Sequence, residues 1–209
     1  MLPKLYPIID RATLDARDVT VAAFAQELRD AGVTLLQYRD KHSGPQEVMR
    51  AASEIAAVFA GVNATLILND RADLAALLGW GVHVGQGDLS PADARRLVGE
   101  RVVGVSTHSE KQVLRCAQDD SFKEVDYVAI GPVFATSTKV DAEPVVGLEG
   151  VRCARALTTK PVVAIGGITL ENCRSVIDAG ADSVAVISGL FVHGMTVREA
   201  AEDFLARLR

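Results

Sequence analysis

Five residues at the end of an apolar run, Gln37-Tyr38-Arg39-Asp40-Lys41, alternate so that Gln37, Arg39 and Lys41 share one face of a strand. An amide and two cations on an inward face suit an anionic ligand, because burying an unpaired cation is costly. They suit equally a set of ion pairs with carboxylates of neighbouring strands. Side by side at the mouth, Arg39 and Lys41 are expected to repel each other and burden the ligand-free fold, so Lys41→Met is expected to leave stability unchanged or raise it. Two further runs also end in acid. Leu66-Ile67-Leu68 turns abruptly polar at Asn69-Asp70, and Gln86-Gly87-Asp88 follows the next run. Asp70 reads either as the N-cap of a helix over Arg71–Leu78 or as a carboxylate facing a divalent cation. Asp88 reads either as a turn or cap former or as a second such carboxylate. Two carboxylates beside an anion site suit Mg²⁺, which keeps several waters and takes one or two carboxylates together with phosphate oxygens.

The stretch from Gly131 to Gly147 is long for a connection between a strand and a helix. It carries Thr136, Ser137, Thr138 and Lys139, hydroxyls and a cation that suit phosphate oxygens. It reads as a lid or as a plain solvent excursion. Gly166-Gly167 and Ile187-Ser188-Gly189 follow the last two apolar runs, where glycine lets backbone amides approach a phosphate. None of the four histidines has metal-motif spacing. His83 lies inside a strand and reads as core, while His108, just after Ser106-Thr107, reaches towards the polar end. No Ser-His-Asp or Cys-His arrangement is suggested by the sequence.

These residues need a scaffold that brings successive strand ends together. Eight strand-like runs recur: 5–9, 35–39, 65–68, 82–84, 102–105, 127–130, 162–165 and 183–187. Between them lie segments of helical spacing over 21–28, 48–59, 72–78, 91–97, 111–117, 148–157, 170–179 and 197–208. Ser90-Pro91 and Thr169-Leu170 read as helix starts, and Gly32 and Gly180 as helix ends. Alternation of eight and eight predicts parallel strands with helical crossovers, closed as one α/β (β/α)₈ TIM barrel over residues 1–209. An open doubly wound sheet is the alternative, but no early G-x-G-x-x-G turn supports a dinucleotide fold. Pro7 is the one blemish, since it cannot donate within the first strand.

The net charge of −5 excludes a general basic footprint for nucleic acid, so any anion site is local. Cys116, Cys153 and Cys173 have no C-x-x-C spacing and read as buried thiols of a reducing compartment. With no signal-peptide pattern and no run approaching a membrane span, the expectation is a soluble, cytoplasmic protein. A homo-oligomer fits all of this equally well.

The ordered set of short motifs resembles the thiamine-phosphate synthase family over essentially the whole chain. It comprises Gln37-Tyr38-Arg39-Asp40-Lys41, Asn69-Asp70-Arg71-Ala72-Asp73, Gly81-Val82-His83-Val84-Gly85-Gln86 with Asp88, Val105-Ser106-Thr107-His108, Gly131-Pro132-Val133-Phe134 with Thr136-Ser137-Thr138-Lys139, and Gly166-Gly167-Ile168. The resemblance implies a Mg²⁺-assisted transferase that joins hydroxymethylpyrimidine pyrophosphate to thiazole phosphate, releasing pyrophosphate through a pyrimidine cation. It implies that Gln37, Arg39 and Lys41 bind the pyrimidine pyrophosphate and that Asn69 and Lys139 contact the pyrophosphate. Asp70 and Asp88 become the metal ligands, and Ser106 a pyrophosphate and substrate contact. Thr136 and Thr138, with the backbone of Gly167, Ile187 and Ser188, hold the thiazole phosphate. Arg39, Lys41, Ser106 and Lys139 are then the groups that act on the leaving pyrophosphate. Gly87, Ala135 and Val140 depart from the pattern and bear on loop stiffness and affinity. Two rivals share the fold. One is a thiazole tautomerase-like isomerase, with His108 shuttling protons; the other is a non-catalytic barrel that binds thiamine precursors. The Thr-x-Thr-Lys segment and Asp88 favour the synthase.

Overall fold

A computed structural model of the chain describes residues 2–109, 111–113, 123–136 and 144–209. Eight parallel strands close into a barrel in chain order. They are β1 (Leu5–Asp10), β2 (Leu35–Arg39), β3 (Thr65–Asn69), β4 (Gly81–Val84), β5 (Val103–Thr107), β6 (Tyr127–Ile130), β7 (Val162–Ile165) and β8 (Ser183–Val186). The helices among the described residues are α1 (Arg11–Asp15), α2 (Val21–Asp30), α3 (Pro45–Val58), α4 (Ala72–Leu78), α5 (Pro91–Val98), α6 (Gly147–Leu157), α7 (Cys173–Asp178) and α8 (Val197–Arg207). A 3₁₀ turn, Ser188–Leu190, follows β8. This is the expected (β/α)₈ barrel, and the alternative of an open doubly wound sheet is ruled out. Pro7 is accommodated because β1 pairs with β8 through Leu5–Pro7 and with β2 only from Ile8 onward.

Strand alternation divides the apolar residues into two cores. Outward side chains such as Ile9, Leu36, Leu68, Val82 and Val184 pack under the helices. Inward ones, Tyr6, Ile8, Leu35, Ile67, Tyr127, Ala129, Val163 and Ala185, fill the barrel. Gly104 on β5 makes room for this filling: a Cβ there would lie 2.0 Å from the Tyr127 ring. The helices are started by the residues their sequences supply. Thr20 accepts from the Ala23 amide at 3.2 Å and Ser90 from Asp93 at 3.1 Å. Thr196 and Glu199 form a reciprocal capping box at the start of α8. Left-handed glycines end two helical turns, Gly32 at φ +83° and Gly180 at φ +109°.

Three expectations about helices need correction or cannot be followed. The short α1 has no apolar periodicity and escaped the sequence pattern; Asp10 nucleates it by accepting from Thr13 N at 3.1 Å and Thr13 Oγ1 at 2.7 Å. The helix expected from Leu170 starts at Cys173, because Thr169 N bonds the Asn172 side chain at 2.8 Å and holds the intervening residues as a turn. Of the helix expected over 111–117, only 111–113 lie among the described residues, and they are helical. Among the described residues no helix is long and apolar enough to cross a membrane.

Candidate active site

The C-terminal ends of all eight strands contribute to one cavity, with Gln37, Arg39, Asn69 and His83 on one side and Ile165, Ala185 and Val186 on the other. Of the residues singled out by sequence, Gln37, Arg39, Asn69, Ser106, Thr136, Gly167, Ile187 and Ser188 line it together. His108 lines it too. Its Nδ1 meets the Gly131 carbonyl at 2.9 Å, and a carbonyl only accepts, so Nδ1 carries the proton. The floor is apolar, built from Ile8, Ala129, Val163 and Ala185. The loops after β7 and β8 close the far side, where Gly167 at φ +63° lies so near the Phe134–Ala135 backbone that a Cβ would come within 2.5 Å of the Ala135 carbonyl. Only glycine allows that approach.

Lys41, Asp70 and Asp88 gather beside this cavity rather than on its lining. Lys41 Nζ donates to Asp70 Oδ2, and the carboxyls of Asp70 and Asp88 lie within hydrogen-bonding reach of each other. Burial first of all, and then Asp88, raise the Asp70 carboxyl above its ordinary value, against the opposing pull of Lys41. The backbone of Asp70 is left-handed, at φ +61°, uncommon outside glycine but tolerated by Asp, as at Asp18 with φ +54°. The N-cap of α4 is Arg71, so the capping alternative for Asp70 falls away. Asp88 does shape its turn, accepting the Gly85 amide at 2.7 Å.

The expected repulsion between Arg39 and Lys41 is overturned. Arg39 Nη1 pairs with Asp10, which is only 4% exposed, and Lys41 pairs with Asp70. Each cation is met by a carboxylate of the adjacent strand end. The like charges in contact are instead the two acids. Among the described residues no group of three or more His, Cys, Asp and Glu side chains gathers, so the cluster offers two carboxylates; a Mg²⁺ ion held there would need its other ligands from water or substrate oxygens.

Asn69 is 8% exposed, and its Nδ2 has no hydrogen-bond partner among the described residues. An orphaned buried donor costs about 1–3 kcal/mol, and here it lines the cavity directly before Asp70. An anion in the cavity would satisfy it.

The reading of His83 as plain core is also corrected. Its ring lies in the barrel interior between two polar partners, Tyr127 OH at 2.8 Å from Nδ1 and Ser106 Oγ at 2.8 Å from Nε2. Tyr6, Tyr127 and Asp10 were not foreseen as parts of the site. Only Asp10 stands at a C-terminal strand end; Tyr6 and Tyr127 lie at the starts of β1 and β6 and carried no signal beyond that of ordinary core aromatics. Thr138 and Lys139 lie outside the described residues.

The family model described as thiamine monophosphate synthase matches residues 5–190. A thiamine-phosphate synthase of Koribacter versatilis is 52% identical over 208 residues, 98% of this chain and 95% of that protein. One from Chloroflexus aurantiacus is 41% identical over 179 residues, 85% of this chain and 77% of that protein. Among solved structures, thiamine phosphate pyrophosphorylase from Pyrococcus furiosus superposes with a TM-score of 0.85 at 30% identity, covering 99% of this chain and 95% of that one.

Proposed function

The chain belongs to the thiamine monophosphate synthase family and its function is thiamine-phosphate synthesis, a transferase reaction; we propose a Mg²⁺-assisted, dissociative route for it on this single barrel. The bond between the pyrimidine methylene carbon and pyrophosphate breaks, and its electron pair leaves with the pyrophosphate. The thiazole phosphate nitrogen then donates its lone pair to the pyrimidine cation, giving thiamine phosphate. Nothing in this sequence needs a protein nucleophile; the requirement is charge stabilisation on the leaving group.

Asp70 and Asp88 would hold Mg²⁺, which when bound supplies positive charge to the leaving oxygens. Arg39, Lys41, Asn69 and Lys139 bind the pyrophosphate, Lys41 exchanging part of its interaction with Asp70 for the ligand. Gln37 and Ser106 orient the pyrimidine end. Thr136, Thr138 and the backbone of Gly167, Ile187 and Ser188 hold the thiazole phosphate. The apolar floor of Ile8, Ala129, Val163 and Ala185 keeps water from the cation, which water would otherwise capture.

The observation that carries this reading is Asn69: a buried, orphaned donor on the cavity wall, one residue before the left-handed Asp70 and its carboxyl partner Asp88. The test is incubation with both substrates and Mg²⁺, following pyrophosphate and thiamine phosphate. Joint release of the two, abolished by chelation or by omitting either substrate, supports the route. Isomerisation of a thiazole phosphate without pyrophosphate release would favour the tautomerase, and binding without turnover would favour a precursor-binding barrel.

A further inference from the structure

Five polar groups cross the barrel interior in one unbroken series. Gln37 Nε2 donates to Tyr6 OH at 2.8 Å, Tyr6 OH meets Tyr127 OH at 2.9 Å, Tyr127 OH meets His83 Nδ1 at 2.8 Å, and His83 Nε2 meets Ser106 Oγ at 2.8 Å. Both ends, Gln37 and Ser106, line the cavity. The two tyrosine rings meet edge to face at 85°, and His83 stacks on Tyr127 at 16°.

The direction of the protons follows from counting. Gln37 Nε2 only donates, so the buried Tyr6 proton must go to Tyr127. Tyr127 has one proton and gives it to His83 Nδ1. The ring proton is then on Nε2 and is donated to Ser106 Oγ. In the opposite sense Tyr6 would accept twice and its own proton, in a residue 1% exposed, would have no acceptor among these groups. A doubly protonated ring fails by the same count. Burial keeps both phenols protonated far above neutral pH, so neither tyrosine need ionise.

We propose that His83 is a positioning residue, held by this series as the Nε2–H tautomer, and that it thereby turns the Ser106 hydroxyl proton into the cavity as a donor to substrate. The orientation of the Gln37 amide and the donor role of Ser106 are then one linked property, carried by residues from five strands. What the Ser106 proton meets rests on the synthase reading; the tautomer does not.

The first test needs no substrate. In ¹⁵N NMR of the full chain, the His83 imidazole nitrogens, assigned with His83→Phe or by their response to Tyr127→Phe, should show a protonated Nε2 and a bare Nδ1. His108 should show the reverse, because its Nδ1 meets the Gly131 carbonyl. A protonated Nδ1 on His83 near neutral pH would mean a reversed series and overturns the proposal. The second test is a cycle with Ser106→Ala. Loss of one oriented hydrogen bond should lower kcat about ten-fold in His83→Phe, more than it changes KM. The double variant should be no slower than Ser106→Ala alone, since His83 acts only through that hydroxyl. Multiplied losses in the double variant, with folding intact, would overturn the relay. A wild-type protein that releases no thiamine phosphate would refute the synthase reading instead, and the tautomer result would still stand.

Discussion

Replacing Lys41 with Met keeps most of the stem and removes the charge, and the structure gives the result a sign opposite to that of two crowded cations. Lys41 is the hydrogen-bonded cation of Asp70, and Asp70 already shares its surroundings with Asp88. Without the ammonium, two acids face each other with less compensation. The Lys41 side chain is 43% exposed and that of Asp70 17%, so solvent screens the pair and its worth lies near the upper end for exposed pairs, about 1 kcal/mol. For a chain of this size that corresponds to a melting point about 2–4 °C lower without ligand. Folding raises the Asp70 pKa, so ionising Asp70 costs stability as pH rises through that pKa. Lys41 softens this cost in the wild type, and Met does not. The two proteins should therefore differ at neutral pH and converge in acid, where Asp70 is protonated, and convergence should begin above the ordinary aspartate value of 3.8. Mg²⁺ alone should raise the variant's melting point more than the wild type's, because the site has lost a positive charge, whereas Mg²⁺ with pyrophosphate should raise it less. Thermal melts over a pH series, with and without each addition, check all three. A variant as stable as the wild type at neutral pH, with an unaltered response to Mg²⁺, would refute the claim that Lys41 compensates these acids.

Asp88→Asn keeps an acceptor for the Gly85 amide while removing the carboxylate charge, so it should melt close to the wild type and lose Mg²⁺-dependent synthesis; turnover within a few-fold of wild type would remove Asp88 from the metal site. Asn69→Ala deletes an orphaned buried donor and should leave stability unchanged or slightly raised in phosphate-free buffer while turnover falls, which melting and steady-state kinetics separate. Lys139→Ala should lower turnover about ten- to hundred-fold if it gives pyrophosphate a charge-assisted bond worth about 1.5–3 kcal/mol, and an unaltered rate would exclude that contact. Gly104→Ala should destabilise the barrel by about 1–3 kcal/mol, because the new methyl enters the space of the Tyr127 ring, and calorimetry should show it.

The barrel was legible in the sequence because each strand is short, apolar and followed by a longer segment of helical spacing, so periodicity alone separates the two kinds of element. Most expected cavity residues were legible for a related reason: polar side chains directly after apolar runs, as at Gln37–Lys41 and Asn69–Asp70, have no place in a packed interior. What stayed hidden depends on relations between strands. Asp10 ends the first run as a single acid. Nothing local shows that the register aligning it with Arg39 makes it that cation's counter-ion. His83 and Tyr127 have the sizes and parity of core residues, and only the closed barrel brings them to 2.8 Å, across a gap that Gly104 leaves open. Asp70 shows the same division most sharply. Its type and position suggested both a cap and a ligand, and the choice was made by its backbone. In the left-handed conformation it cannot serve as the residue that starts α4, and its carboxyl is turned instead towards Lys41 and Asp88. A left-handed backbone is kept where a helix cap would have been the ordinary use of the same residue. That makes the carboxyl pair the part of the site least explicable by folding alone.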